Sequence, residues 1–398
     1  MASLSVLNIL RTIKERGAVS RTDLQHTTGL SWGTITNTTR DLLNRNLIRE
    51  EGALSTKAGR KPVRLAINPS SHSLIGVDIG RKVIRCLMLS LAGEMLWYDE
   101  FAYAPNEAAT EALDRAAALV QRAMEMPAVS SRICLGVGVS APGAIDVRNG
   151  TMRFAPQMPA WKNVPVRQIL QGQLTPRVYI EHDPNCLAMA ERWFGEAGHA
   201  EDVLCVNLGE GVGMGILFQG EVFRGSQQLA GEFGHITLDP NGPLCACGDR
   251  GCVESYCSIP AIIDYVRSVP DQQSADLAAI LQARPPTIAE LTMAARNGDR
   301  AALGAFERAG TYLGIGLANL VDLFNPDLIV LAGSLILARE FFMPALDREV
   351  QKHAWKHSNR QMLLSQLGER AMAMGACGMV LQSVFNQDLL ATAELAQI

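Results

Sequence analysis

Gly231-Glu232-Phe233-Gly234-His235, then Cys245-Ala246-Cys247-Gly248-Asp249-Arg250-Gly251-Cys252 and Glu254, form the stretch on which the reading of this chain turns. Three thiols on a glycine-bent loop, with one imidazole upstream, make a Cys3His set of the kind that encloses zinc tetrahedrally. The pattern predicts Zn2+ on His235, Cys245, Cys247 and Cys252. Four protein ligands leave no open position for water, so the metal is expected to be structural. Cys257 has helical neighbours and reads as core. A metal-bound imidazole keeps one nitrogen for hydrogen bonding. With Glu232 and Glu254 alongside, His235 therefore offers a polar set suited to sugar hydroxyls.

Outward from this loop the pattern is α/β. Leu74–Gly80 is a buried strand ending in Asp78-Ile79-Gly80, followed by strands near 83–91 and 93–103. Residues 203–215 repeat the plan as strand, glycine-rich turn and strand. Further strands are expected at 133–138, 178–181 and 328–333, with a helix at 184–194 and helical segments filling 258–350. Strands alternating with helices indicate α/β architecture. Two glycine-turn strand sets suggest two related lobes with a ligand cleft between them. The expected boundaries are lobe 1 at 74–182, completed by a C-terminal helix at 380–398, and lobe 2 with the zinc site at 183–379.

The first 67 residues are different. They carry 11 Lys+Arg against 5 Asp+Glu, a net +6, whereas the remainder carries 25 against 35, a net -10. A basic head on an acidic body suggests an arm that meets a polyanion. Apolar periodicity through Leu4, Leu7, Ile9, Leu10 and Ile13 predicts a first helix ending at Gly17. Ser20 with Asp23 predicts a capped second helix ending at Gly29, and Ser31 caps a third over about 31–45. This is helix-turn-helix order. The third helix is rich in short hydroxyl and amide side chains, which have poor helix propensity but reach phosphates and base edges well. Ser31, Thr34, Thr36, Asn37 and Arg40 are the expected DNA contacts there. Strand-like runs at 47–50 and 63–67 bracket a basic wing. In it Arg60 is expected in a minor groove, with Lys57, Lys61 and Arg64 on phosphates. Residues 68–73 read as a linker.

No apolar run is long enough to span a bilayer, and the amphipathic N-terminus is no secretion signal. A cytoplasmic location without membrane insertion is the expectation, with the cysteines as reduced thiols or metal ligands.

The segments 231–235 and 245–252 with Glu254 closely resemble the signature of the ROK family (repressors, open reading frames and kinases). With the winged head, the chain resembles its repressor branch, which includes glucose- and N-acetylglucosamine-responsive repressors. The resemblance implies a winged helix-turn-helix followed by a two-lobed ribonuclease-H-like, actin-like sugar-kinase fold, assembling as a homodimer or homotetramer. It places Gly143, Gln157, Asp183, Glu232, His235 and Glu254 around a sugar, with Asp183 matching the base that deprotonates the 6-hydroxyl in the kinases. Gln157 stands where the kinases usually have Asn, which alters the sugar contact.

The kinase phosphate turns are degraded by the same comparison. Asp78-Ile79-Gly80-Arg81-Lys82 replaces Asp-x-Gly-Gly-Thr, Gly209-Glu210-Gly211 replaces Gly-Thr-Gly, and Ala332-Gly333-Ser334-Leu335 replaces a glycine-rich turn. Glu210 would set a negative charge against a polyphosphate. The expected function is a regulator, a repressor on a double-stranded DNA operator, controlled by a small sugar or sugar phosphate and with no catalysis. The alternatives are an active hexose kinase with a DNA-binding appendage, and a scaffold controlled by a sugar-transport protein.

Overall fold

The structure, a computed structural model, describes residues 2–53, 63–104, 106–127, 130–155, 158–198, 200–356 and 361–386. It begins with α1 (Ala2–Arg16), β1 (Val19–Ser20), α2 (Arg21–Thr28), α3 (Trp32–Asn44), β2 (Ile48–Ala53) and β3 (Val63–Ile67). The helix starts follow from the caps. Ser20 and Asp23 form a reciprocal capping box on α2, and the Ser31 hydroxyl accepts from the Thr34 amide at the start of α3. Gly29 ends α2 in the left-handed conformation. Ile9, Leu10, Ile13, Leu24, Ile35, Leu42 and Leu65 form the buried centre of this segment. The strands pair antiparallel in the order β1-β3-β2. This is the expected winged helix-turn-helix; the wing tip, with Lys57, Arg60 and Lys61, lies outside the described residues.

The next elements are β4 (His72–Ile79), β5 (Val83–Ser90), β6 (Met95–Ala102), α4 (Ala109–Glu125), β7 (Ile133–Ala141), the hairpin β8 (Ala144–Asp146) and β9 (Thr151–Phe154), α5 (Val166–Gln171), β10 (Val178–His182) and α6 (Asp183–Phe194). Their five-stranded sheet runs β10-β7-β4-β5-β6. β4, β7 and β10 are parallel, while β5 and β6 are antiparallel neighbours. The alanine-rich face of α4 packs on this sheet with Val77, Ile84, Val137 and Val139 in one core.

β11 (Val203–Leu208), β12 (Val212–Phe218) and β13 (Glu221–Val222) follow. After them come α7 (Glu254–Cys257), α8 (Ile259–Ser268), α9 (Ala275–Ala283), α10 (Ile288–Arg296), α11 (Arg300–Phe324), β14 (Leu328–Ala332), α12 (Arg339–His353), β15 (Met362–Leu364) and α13 (Ala371–Asn386). The second sheet runs β13-β12-β11-β14-β15, with β11, β14 and β15 parallel. Its core gathers around the buried stripe of α11, including Phe306, Leu313 and Leu317.

Two compact units result: residues 1–194 with 372–398, and residues 195–371. This corrects two expected boundaries. Helix α6, expected to open lobe 2, belongs with the first unit, and α13 returns there well before residue 380. The cause is packing. α13 crosses β4 at Gly76, where a Cβ would lie 1.9 Å from the Ala373 carbonyl oxygen, and it crosses α6 at Gly375, where a Cβ would lie 1.7 Å from that of Cys186. The expected linker is also tied down. Ser71 Oγ donates to the Asn46 carbonyl at 2.6 Å, and Arg132 donates to that of Pro69.

Candidate functional site

In the second unit, the segment from 231 to 257 is irregular and held by short-range hydrogen bonds. Phe233 is buried and anchors its start. The Val253 amide donates to the Ile236 carbonyl at 3.0 Å and the Leu238 amide to that of Gly251 at 2.8 Å, folding the loop onto itself. The Cys245 amide donates to the Asp249 carbonyl at 2.7 Å, which curls the tip. Gly251 is required at the fold-back: its φ is +67°, and a Cβ would lie 1.6 Å from the Asp239 carbonyl oxygen.

This path brings His235, Cys245, Cys247 and Cys252 together, with one donor atom from each lying within 4.8 Å of the others. His235 Nδ1 is 3.7 Å from Cys245 Sγ, and Cys247 Sγ is 3.8 Å from Cys252 Sγ. A tetrahedron with metal–sulfur bonds of about 2.3 Å has edges of about 3.8 Å. The donor set and its spacing therefore fit a four-coordinate metal ion of the zinc type. Cys257 points away, its thiol directed at the Ala309 carbonyl, as the core reading expected.

Glu232 precedes the short turn 233–235, where the His235 amide donates to its carbonyl at 3.0 Å. Glu254 opens α7, and its Oε2 accepts from the Val212 amide at 2.9 Å. That amide follows Gly209-Glu210-Gly211 directly, so Glu254 clamps α7 to the glycine turn. The Ile259 amide adds a second clamp on the Gly209 carbonyl at 2.9 Å. With His235 Nδ1 directed at the thiols, Nε2 is left for hydrogen bonding. Glu210 is exposed at the turn.

In the first unit, the candidate residues gather at the carboxyl ends of the parallel strands β4, β7 and β10, the edge where α/β sheets bind ligands. Asp78 is opposite Ser140 in register, and His182 is opposite Ala141. Gly143 lies just beyond β7, and Asp183 opens α6. Asp183 Oδ1 is 3.2 Å from His182 Nε2, and its side chain is part-exposed. The start of α6 is fixed by buried Glu181, which accepts from Asn185 Nδ2 at 2.9 Å and from the His182 amide at 3.0 Å. Pro156 and Gln157 lie outside the described residues.

Asp78 is buried, and burial pushes its carboxyl up to about 7, against the pull of the Arg85 guanidinium and with a further push from Asp183. Arg85 Nη1 is 3.6 Å from Asp78 Oδ2, and Arg85 Nε is 3.3 Å from Glu100 Oε2. These three residues sit opposite one another on β4, β5 and β6, a cross-strand ladder that the sequence reading missed. Position seven past Asp78 carried the signal, but only the strand register reveals it. Beyond the ladder, the Tyr103 hydroxyl donates to the Gly80 carbonyl at 2.5 Å and closes the turn.

On α3, Ser31, Asn37 and Arg40 are exposed, while Thr34 and Thr36 are half-buried. Arg40 Nη2 donates to Asn37 Oδ1 at 3.2 Å. The Arg64 guanidinium donates to the Ala18 carbonyl, fastening β3 to the residue just before β1.

The family comparison matches residues 74–383 to the ROK family. The chain belongs to the ROK family. It is similar to the xylose repressor of Caldicellulosiruptor bescii, 29% identical over 97% of both chains. It is also similar to the DNA-binding transcriptional dual regulator NagC of Escherichia coli, 28% identical over 96% of this chain and 93% of that one. Among solved structures, a ROK family transcriptional regulator, a homolog of the E. coli MLC protein, superposes with a TM-score of 0.80 at 24% identity, covering 98% of both chains. A ROK family glucokinase from Streptomyces griseus, in complex with glucose and AMPPNP, superposes with a TM-score of 0.67 at 29% identity. It covers 77% of this chain and 98% of that one. Among the described residues, no helix is long and apolar enough to cross a membrane.

Proposed function

We propose that this ROK protein is a DNA-binding transcriptional repressor of sugar uptake or catabolism genes, its operator affinity set by a small sugar or sugar phosphate bound to the kinase-like lobes. One observation carries the reading. The repressor relatives align over nearly the whole chain, whereas the glucokinase covers 77% of it. Residues 1–67, with net +6, supply the winged reader that such a kinase does not need.

The sugar-facing set would be Glu232, His235 and Glu254 from the second unit, and Gly143, Gln157 and Asp183 from the first. A structural zinc would be held by His235, Cys245, Cys247 and Cys252, where it would fix the loop and the imidazole tautomer. Xylose is the first candidate effector because relatives from Caldicellulosiruptor and Bacillus are named xylose repressors, and N-acetylglucosamine follows. A homodimer or homotetramer would present two readers to adjacent grooves, and the sugar would act by favouring one arrangement of them. Cytoplasmic residence follows from this role.

The test is fluorescence anisotropy with DNA from upstream of the chain's own gene, with and without a sugar panel. Salt-dependent binding that one sugar weakens or strengthens at least tenfold supports the reading. DNA binding with silence across the panel would point instead to a protein signal, such as a sugar-transport protein. A second reading, residual hexose kinase activity, is favoured by part-exposed Asp183 at the strand ends. It is opposed by Arg81 and Glu210 in the phosphate turns. Steady ATP turnover with any hexose would overturn the purely regulatory reading.

A further inference from the structure

We infer that Trp32 is a specificity-determining residue of the DNA reader and recognises the methyl group of a thymine in the major groove. The inference rests on the proposed DNA-binding role and deepens it.

Trp32 is the first residue of α3, and half of its surface is exposed (50%). The helix keeps its inner face elsewhere, on Ile35, Thr39 and Leu42, all fully buried. Among the described residues, no ring pair or cation–π contact includes Trp32. Its neighbour Gly33 adds no side chain, and a Cβ there would meet only Ser31 Oγ at 3.9 Å. The indole therefore stands at the helix start with half of its surface open. Helical spacing places it one turn before Thr36 and two turns before exposed Arg40.

Folding gives little reason to leave half of an indole in water at that position. A duplex supplies one. The N-terminal residues of a recognition helix are those that meet base edges. Most of the indole is flat and apolar, with a single N–H, so it is poorly suited to the bidentate hydrogen bonding that reads guanine or adenine. The thymine C5-methyl is the apolar mark that the major groove displays. Charge complementarity commits the occupant to nucleic acid, because the segment holding α3 carries net +6 on an otherwise acidic chain.

The experiment starts from duplexes selected by the full-length protein out of randomised DNA. Affinity is then measured for wild type, Trp32→Ala, Trp32→Phe and Arg40→Ala, with each thymine of the selected site replaced in turn by deoxyuridine. Trp32→Ala should bind roughly 10- to 100-fold more weakly, with the wild-type salt slope, and Trp32→Phe should recover most of the loss. Arg40→Ala should instead lower the salt slope by about one. At one thymine per half-site, deoxyuridine should weaken wild type several-fold and leave Trp32→Ala unchanged. If Trp32→Ala keeps wild-type affinity, or every deoxyuridine penalty is the same in both proteins, the inference fails while the DNA-binding role stands. If the wild-type protein selects no duplex and shows no salt-dependent binding, that role fails and the inference with it.

Discussion

The two sheets of this protein are built on one plan. Taken in order of appearance, strands β4, β5, β6, β7 and β10 occupy the same sheet positions as β11, β12, β13, β14 and β15. The first strand is central, the second and third continue antiparallel to one side, and the fourth and fifth run parallel on the other. The differences lie in what was added. In the first unit a few residues join the third strand to α4. In the second, residues 223–258 intervene, and they carry Glu232, His235, the three clustered cysteines and Glu254. The penultimate residue of the central strand also differs. It is Asp78 in one sheet, facing Arg85, and Asn207 in the other, facing Gly213. One copy thus holds a buried acid with its own cation, and the other holds a loop whose clustered donors could hold a cation from solution. Stability should accordingly depend on metal in one unit and on pH in the other.

The largest expected effect tests the metal half. Stripping the metal with a strong chelator, or Cys252→Ser, should destabilise the second unit by on the order of 5 kcal/mol. Hydrogen exchange should show protection lost over 236–252 and retained over β4 and β7. Purified protein should carry one zinc per chain. Metal-free protein with an unchanged melt and intact protection in the loop would break the contrast. A pair of glycine variants then separates metal from backbone. Gly251→Ala meets the Asp239 carbonyl oxygen and should cost about 3 kcal/mol, while Gly248→Ala has open space around it and should cost about 1 kcal/mol, from its positive φ alone. Equal costs would mean that the fold-back at Gly251 does not set the loop.

The acid half makes the next prediction. Asp78 has a folded-state value of about 7 against an ordinary 3.8, raised chiefly by burial. Its contribution is therefore complete below about pH 4 and is lost as pH rises toward 7. Asp78→Asn mimics the other sheet, where Asn207 already stands. It should raise stability at pH 8 by about 2 kcal/mol and flatten the pH dependence of the melt between pH 4 and 7. Arg85 retains Glu100 as its partner in that variant. A variant less stable than wild type at pH 8 would mean that the pairing with Arg85 outweighs the burial of Asp78.

The contrast was only partly legible in the amino-acid sequence. Strand positions and the histidine–cysteine cluster were readable because alternation, glycine turns and close-set cysteines are local signals. The register that sets Arg85 between Asp78 and Glu100 was not, because pairing partners leave no mark within a single strand. The unit boundary was misplaced for the same reason: α6 and α13 belong to the first unit through glycine-mediated contacts between distant segments. Trp32 stands in a run of short polar side chains, and only its exposure in the fold marks it as an apolar group open to solvent. Arg64 was assigned to DNA by its charge, and its hold on the Ala18 carbonyl, a contact between distant segments, left no mark in the sequence.

The smallest expected effect concerns why the reader is carried by the first unit. The helices that follow the fifth strands, α6 and α13, correspond in the shared plan. α6 ends at Trp193 and Phe194, and there Lys14 of α1 is seated. Its Nζ donates to the Trp193 carbonyl at 2.5 Å and lies 4.9 Å from the centre of the Phe194 ring. A cation at the carboxyl end of a helix also meets the negative end of the helix dipole. Burial lowers the Lys14 pKa, so part of that gain offsets desolvation. Lys14→Met keeps the aliphatic stem and removes the charge. It should cost about 1 kcal/mol, visible as faster amide exchange in α1, with exchange in both five-stranded sheets unchanged. Since α6 begins at Asp183, among the sugar-facing candidates, the same variant should also narrow the difference in DNA affinity between sugar-free and sugar-bound protein. Unchanged α1 exchange would show that the link through Ser71 and Asn46, rather than α6, holds the reader in place.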